Sequence, residues 1–404
     1  MTAVEVTEST SQDERAVLEL CERLLAEYPP ATTDAHQFLG AQFDAGLAYV
    51  QYPKGVGGLG LRPGVQGVID ERLRAAGAPN PVALNPIGWG MGFPTVATHG
   101  TDAHRQRYLR PLFAGEEIWC QLFSEPGAGS DVAGLATSAV KDGDEWIVNG
   151  QKVWTTFAHV ARWGMLVART NPDAPKHKGL TYFIIDMQQP GVEVRPLRQM
   201  TGEAEFNEVY FTDARVPDSQ RLGEVGEGWR ISLTTLMNER VSIGGSSEDR
   251  GSGPIGEAVR IFNERHRSAG DAHTAVLRDQ LMALWIDAEV IRLTNMRAAG
   301  ARESGVPGPE GSVAKLMTTE SKKAIYSFCV DMMGATGMEY DIDAPLDPYG
   351  VSPDIGKSFL RSRANSIEGG TSEVLRNILG ERILGLPGDV RVDKDLPWSQ
   401  VPRS

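Results

Sequence analysis

The sequence predicts a mostly α chain with a central β domain. Apolar residues recur at helical spacing from Glu14 to Ala114 and again from Trp229 onward, whereas Trp119 to Asp213 breaks into short β-branched and aromatic runs separated by Pro, Gly, Asn and Asp. A second observation locates the β region's centre: Asp142-Gly143 and Asn149-Gly150 lie among alternating strand residues. An Asn-Gly between Trp146-Ile147-Val148 and Lys152-Val153-Trp154 predicts a type I′ hairpin, because both central positions need positive φ. A chain of 404 residues also exceeds one core, since cores rarely grow past about 250–300 residues. The expected domains are 1–118 (helical), 119–222 (β) and 223–404 (a helical bundle).

Taken in order, residues 1 to about 13 read as disordered, and Glu14 to Glu27 as an amphipathic helix with Val17, Leu20, Cys21, Leu24 and Leu25 on one side. Gly55, Gly57 and Gly60 make a formal G-x-G-x-x-G. Helix-like sequence precedes it and Pro63 follows closely, so it reads as a flexible interhelical loop and not a dinucleotide fingerprint. Helices are expected at Pro63 to Ala76 and Thr101 to Ala114, with Asn85 to Pro94 an apolar loop between them. The β runs are Trp163 to Ala168, Leu180 to Met187, Val192 to Val194 and Val209 to Thr212. Beyond Trp229, Leu277 to Ala301, Ser312 to Met333 and Glu373 to Leu384 are long enough for bundle helices. Gly244 to Gly256 is a Gly/Ser-rich linker.

Charge narrows the function classes. With 40 basic against 53 acidic residues the net charge is −13, which disfavours nucleic acid as a partner. Cys21, Cys120 and Cys329 lie far apart with no C-x-x-C, so neither a disulfide frame nor a metal site is expected. The start, MTAVEVTESTSQDE, has neither a basic n-region nor an apolar core, and no apolar run approaches the roughly 18 residues of a membrane span. A cytoplasmic location is expected.

Three motifs in order carry a resemblance. Ser124-Glu125-Pro126-Gly127-Ala128-Gly129-Ser130-Asp131 with Trp154-Thr155-Thr156 comes first, then Asn238-Glu239-Arg240, then Glu368-Gly369-Gly370-Thr371-Ser372-Glu373. Together they resemble the acyl-CoA dehydrogenase family over about Tyr52 to Pro387. The resemblance implies an N-terminal helical domain, a middle antiparallel β domain and a C-terminal four-helix bundle. It also implies FAD and α,β-desaturation of an acyl-CoA, with an electron-transfer flavoprotein as acceptor and assembly as a homodimer or homotetramer. Such a reaction needs a base, a grip on the thioester oxygen and a hydride acceptor; side chains accept no hydride, so a cofactor is obligatory.

By that resemblance Gln121, Phe123 and Ser124 meet the flavin, with the turn at Gly129 and Ser130 letting backbone N–H groups approach it closely. Ser130 lies between cofactor and substrate, and Trp154, Thr155 and Thr156 cover the other side. Without the family, Trp154 is a cross-strand aromatic in a hairpin. Gly334 resembles a loop reaching a neighbouring subunit's FAD, and equally a helix C-cap glycine. Thr371 and Glu373 match flavin-touching positions, though Glu373 also suits a helix first turn. Asn238, Arg240, Gly369 and Gly370 fall on the substrate side, with backbone N–H near Gly369 on the thioester oxygen.

The family carries its base either on a C-terminal-domain helix or immediately before the Gly-Thr of the last loop. Here Gly369 occupies the second position and Glu368 sits one residue too early, so Glu239 is the expected base and Glu368 the alternative. Trp229, Leu233, Leu236 and Ile243 share a helix face from whose centre Glu239 stands roughly 90° away. The family's Arg-x-x-Phe-Gly-type stretch has no clean copy, leaving Arg278 as a substitute. That departure keeps open a partner subunit of a hetero-oligomer; an acyl-CoA oxidase or flavin monooxygenase on the same scaffold is the other rival. Gly46, Trp89, Met91 and Phe93 hint at pocket composition, with straight-chain, branched and steroid-derived acyl groups all open.

Overall fold

Helices occupy the chain as far as Phe113, a sheet follows to Leu222, and helices return at Gly228. The computed structural model describes residues 3–244, 249–303, 310–346, 351–390 and 393–402; for 3–11, 240–244, 299, 301–303 and 310 it describes the backbone alone. The chain forms two compact units, one of 1–197, 204–238 and 391–404 and one of 198–203 and 239–390.

The first unit opens with α1 (Ala3–Glu27), α2 (Ala35–Asp44), α3 (Gln66–Ala75), α4 (Pro81–Leu84), α5 (Phe93–His99) and α6 (Asp102–Phe113). α1 begins at Ala3 and not at Glu14: nothing between Ala3 and Glu27 is Gly or Pro, so the helix has no breaker before Tyr28. The Asp34 carboxylate accepts from His36 and Gln37 N–H to start α2. Thr101 and His104 close a reciprocal cap on α6. Asn85–Pro94 is no loop: Gly88–Gly92 forms a π turn running straight into α5, with Asn85 Oδ1 accepting from Gly88 N–H and Trp119 N–H. The Gly55–Gly60 segment is a loop, but a packed one, because Gly57 O accepts from both Ala48 N and Tyr49 N.

The sheet contains β1 (Trp119–Leu122), β2 (Ser138–Asp142), β3 (Glu145–Lys152), β4 (Trp163–Arg169), β5 (Leu180–Asp186), β6 (Val192–Leu197), β7 (Phe206–Pro217) and β8 (Arg221–Leu222). Its order is β6-β7-β3-β2-β4-β5-β8. It is antiparallel-rich rather than wholly antiparallel: β1 runs parallel to β4 from Trp119↔Trp163 to Leu122↔Leu166, and β2 touches β4 in parallel at Ser138↔Arg169. The sequence signal missed this because the intervening 123–137 leaves the sheet after β1 and returns as β2 against the same strand.

Of the two expected turns, Asp142-Gly143 joins β2 to β3 with Gly143 at φ 61, but Asn149-Gly150 does not turn. It lies inside β3, where the register with β7 shifts between Val148 and Gly150. Thr212 and Asp213 oppose the single Asn149 there, a β-bulge with Asp213 at φ 51. Asn149 Nδ2 donates to Asp213 Oδ1 at 3.0 Å and Asn149 Oδ1 accepts from Asp213 N–H at 2.9 Å. Glycine at 150 answers crowding: a Cβ there would sit 2.4 Å from Thr137 Oγ1 and 2.7 Å from Thr137 Cα.

α7 (Gly228–Gly244) crosses the division after Asn238. The second unit continues with α8 (Pro254–Arg265), α9 (Ala272–Glu303), α10 (Glu310–Met333), α11 (Ile355–Asn365) and α12 (Ser372–Ile378), a π turn extending α12 to Ile383. α8, α9 and α11 pack around α10, the expected four-helix arrangement, over a core including Ile255, Phe262, Leu281, Ile325 and Phe328. Residues 198–203 belong here because Lys357, fully buried, pairs with Glu203, and Tyr340 OH donates to Met200 O at 3.2 Å. Of the expected linker at Gly244–Gly256, residues 245–248 lie outside the described residues.

Candidate active site

The loop 123–137 is held by a buried ion pair. Lys152 is the last residue of β3 and has no solvent exposure; its ammonium donates to Phe123 O at 2.9 Å and to Glu125 Oε1 at 2.8 Å. Glu125 also accepts from Ala136 N–H at 2.7 Å and Thr137 N–H at 2.9 Å, so one carboxylate ties the loop's start to its end. Burial alone would raise the Glu125 pKa, but the Lys152 charge and these donors outweigh it and hold the carboxylate below its ordinary range. Burial pulls the Lys152 pKa down, with Glu125 opposing.

A second buried cation fixes the loop's middle. Arg169 donates to Ala133 O at 2.7 Å and Leu135 O at 3.0 Å, and its guanidinium lies 4.2 Å from the Trp398 ring centroid. Trp398 Nε1 donates to Gly134 O, and Lys176 bridges Asp131 and Asp393, so the segment 393–402 straps the loop. Pro126, Gly127, Gly129, Ser130, Asp131 and Ala136 stay exposed, and a side chain on Gly129 would meet nothing within 4 Å.

The same pinning aligns the two expected halves of the cofactor bed. Ser124 O accepts from Val153 N–H at 3.0 Å, setting half-buried Gln121, buried Phe123 and half-buried Ser124 beside Trp154, Thr155 and Thr156. Trp154 is not a hairpin aromatic: it follows β3, is 62% exposed and holds a left-handed backbone at φ 60, touching Phe206 edge-on at 6.1 Å. Left-handed backbone at a bulky residue is strained by about 1–3 kcal/mol, and this chain's packing does not account for so exposed an indole. Thr155 is buried, exchanging backbone hydrogen bonds with Asn207, while its hydroxyl has no partner among the described residues. An exposed aromatic face, an unpartnered buried hydroxyl and an open glycine turn fit a flat aromatic ring bearing hydrogen-bonding edges.

Beneath Phe123 lies a polar chain that the sequence reading missed. Tyr182 meets Phe123 edge-on at 5.9 Å, and its hydroxyl is hydrogen-bonded to Thr235 Oγ1 at 3.1 Å, which in turn meets Thr95 Oγ1 at 2.9 Å. Burial drives the Tyr182 pKa well up, so the phenol stays protonated. This network also corrects the α7 face: its fully buried residues are Gly228, Ile231, Ser232 and Thr235, while Trp229 and Leu236 pack half-buried against the same core, Leu233 is half-buried and the side chain of Ile243 lies outside the described residues. Small hydroxyl residues bury easily when they bond to their own helix, as Ser232 does to Gly228 O at 2.7 Å, and apolar periodicity cannot see them. On this corrected face Glu239, half-buried, stands one turn past Thr235 and about 20° from the line of Gly228. Asn238 bonds back to Thr234 O; the side chain of Arg240 lies outside the described residues.

The second unit holds the last loop. Glu368 is clamped by Arg361, with both contacts at 3.1 Å, and by Asn365 Nδ2 at 2.6 Å. Gly369 and Gly370 adopt φ 64 and 95, and buried Lys315 donates to Asn365 O and, at 2.7 Å, to Gly370 O. Thr371 caps α12 by accepting from Val374 N–H. Glu373 is exposed in the first turn, and its pKa is lowered by its own backbone N–H and by Thr371. Gly334 ends α10 at φ 60 with open space around it, as a C-terminal glycine does. Arg278 lies on α9 in a groove of about 430 Å³ shared with Arg267, Phe262 and Trp285. Phe93 is buried against Tyr49, 4.4 Å between ring centroids, and Trp89 packs on the same tyrosine. Among the described residues no helix is long and apolar enough to cross a membrane, and no three His, Cys, Asp or Glu side chains gather as a metal site.

Comparison with known proteins divides along similar lines. The models for the acyl-CoA dehydrogenase N-terminal, middle and C-terminal domains match residues 11–116, 120–214 and 226–384. The chain is 39% identical over 345 residues to acyl-CoA dehydrogenase FadE34 of Mycobacterium tuberculosis, covering 85% of this chain and 45% of that protein, so it spans about half that relative's length. It is 36% identical to acyl-CoA dehydrogenase IpdE1 of the same organism, over 86% of each chain. A solved structure, the ChsE4-ChsE5 complex of M. tuberculosis, superposes with a TM-score of 0.69 at 28% identity, over 96% of this chain and 99% of that one.

Proposed function

The chain belongs to the acyl-CoA dehydrogenase family of FAD-dependent oxidoreductases, and on that premise we propose that it desaturates an acyl-CoA thioester between its α and β carbons. The observation that carries this reading is the pairing of the pinned loop 123–137 with the strained, exposed Trp154. Gln121, Phe123, Ser124, Gly129, Ser130, Trp154, Thr155 and Thr156 would hold FAD, with Thr371, Glu373 and Gly334 as further contacts. Bound there, FAD supplies the hydride acceptor that no side chain provides.

The protein's own work is proton removal and carbonyl polarisation. Glu239 takes the α proton. Its place in line with the buried face of α7 supports that role, because desolvating a carboxylate strengthens it as a base. Glu368 does not compete, since Arg361 and Asn365 already occupy its oxygens. Lys315 draws the Gly370 carbonyl inward, so in a planar trans peptide the Thr371 N–H points the opposite way. Amides of this loop, with Gly369 and Gly370, polarise the thioester oxygen as its negative charge grows. Asn238, Arg240 and Ser130 complete the substrate side. The protein would act in the cytoplasm and hand its electrons to an electron-transfer flavoprotein.

A second reading has its own support: a partner subunit within a hetero-oligomer. The Arg-x-x-Phe-Gly-type stretch has no clean copy, and Glu368 stands one residue before the position that the family's loop base occupies. Purification of the chain alone separates the two. The first reading expects a yellow protein whose flavin bleaches anaerobically with at least one member of a straight-chain, branched and steroid acyl-CoA panel. A colourless chain that gains flavin only when a second polypeptide is co-expressed would establish the partner reading instead.

A further inference from the structure

The segment 393–402 buries no side chain fully, and its one regular element is the short turn Trp398–Gln400. Its place is set by what it touches. Trp398 N–H donates to Ala174 O and Ser399 N–H to Pro172 O, both at 2.9 Å, laying the segment along the connection between β4 and β5. Asp393 takes one side of the Lys176 ammonium at 2.7 Å, and Asp131 takes the other at 2.9 Å. Contacts of this kind must offset the backbone freedom that the segment gives up.

Those contacts converge on one turn. Ala133, Gly134 and Leu135 present three successive carbonyl oxygens. Arg169 Nη2 donates to the first at 2.7 Å, Trp398 Nε1 to the second at 3.0 Å and Arg169 Nε to the third at 3.0 Å. The guanidinium that serves two of them lies 4.2 Å from the Trp398 ring centroid, so indole and guanidinium act as one stacked unit. The amides of this stretch are spent within the loop: Gly134 N–H donates to Asp131 O, Leu135 N–H to Val132 O and Ala136 N–H to Glu125 Oε2. Just before them, the N–H groups of Gly129, Ser130 and Asp131 donate to nothing among the described residues. The loop is therefore held by its carbonyls and left open along three consecutive amides.

We propose that Trp398 is a positioning residue of the cofactor site. It acts through Gly134 O and Arg169, and Asp393 acts through Lys176 and Asp131, to hold the Gly129–Ser130 turn in the shape that retains flavin. Its role rests on that turn belonging to the proposed flavin bed. Trp398 stands 264 positions from Gly134, so the shape of the bed depends on a segment outside the motifs that name it.

Flavin titration of the full chain after flavin removal, followed by fluorescence, tests the proposal, with hydrogen exchange of peptides spanning 123–137 and thermal melts of the flavin-free protein alongside. Trp398→Ala should weaken flavin binding by about tenfold or more, with faster exchange concentrated in 123–137. Trp398→Phe keeps a ring over Arg169 and loses the N–H donor, and should fall between Trp398→Ala and the parent. Asp393→Asn should weaken binding by about threefold. Ser399→Ala should match the parent, because its hydroxyl reaches Asp173 and not the turn. Parent-like affinity in Trp398→Ala, or exchange that rises evenly through the sheet together with a lowered melt, overturns the proposal alone. A parent that takes up no flavin overturns the flavin bed itself, and the role of Trp398 with it.

Discussion

Lys152 and Glu125 show how single residues set the candidate site. Neither touches substrate in the proposed reaction, yet together they fix both ends of the loop that would carry the cofactor. Lys152→Met should cost about 3–5 kcal/mol of stability, because it leaves a buried carboxylate uncompensated, and thermal melts at pH 7 would register it. The acid side follows from the Glu125 pKa, which lies below its ordinary 4.5 in the folded chain. The unfolded chain then takes up the proton first, so the contribution is complete above about pH 4.5 and is lost as pH falls through the folded value. Glu125→Gln, already destabilised at pH 7, should lose less further stability than the parent over that acid range. An equal loss in both would detach the pair from the acid transition. The sequence offered one faint sign of Lys152, a lysine at the end of a strand beside buried valines, where a paired cation is the usual explanation.

Among elements, the β3–β7 bulge and α7 show where sequence patterns stop being informative. Asn149-Gly150 carries the strongest local hairpin signal in the chain, and tertiary pairing overrode it. Asn149 satisfies Asp213 across the bulge, and Gly150 admits Thr137 where no side chain fits. Asp142-Gly143 behaved as read because Asp142 pairs directly with Glu145 across it and nothing crowds Gly143. Gly150→Ala should therefore destabilise by about 2–4 kcal/mol through the clash and the φ of 151. Gly143→Asn should cost under about 1 kcal/mol, since the left-handed region tolerates Asn and the space there is open. Urea unfolding of both variants checks the contrast, and comparable losses would contradict it. On α7 the apolar period pointed to Leu233 and Leu236, while the buried line is built from Ser232 and Thr235, whose hydroxyls bond to their own helix and to Tyr182.

For the whole molecule, the division into helical, β and helical parts was readable because long periodic segments and a change of period survive any tertiary detail. The parallel β1–β4 pairing was not, since it depends on a loop that leaves the sheet and returns, which no local pattern encodes. Candidate site residues within a contiguous motif could be named from family resemblance. Residues acting from a distance, such as Thr95, Arg169, Lys315 and Trp398, could not, because each bonds to a partner more than thirty residues away. In the proposed reaction a carboxylate on α7 removes the substrate's α proton. Anaerobic stopped-flow mixing of the flavin-loaded protein with an acyl-CoA that bleaches the parent tests it, comparing Glu239→Gln with Glu368→Gln. Glu239→Gln should bleach about a thousandfold or more slowly than the parent with flavin still bound, and Glu368→Gln should show a far smaller fall. Normal bleaching in Glu239→Gln with loss in Glu368→Gln would contradict it.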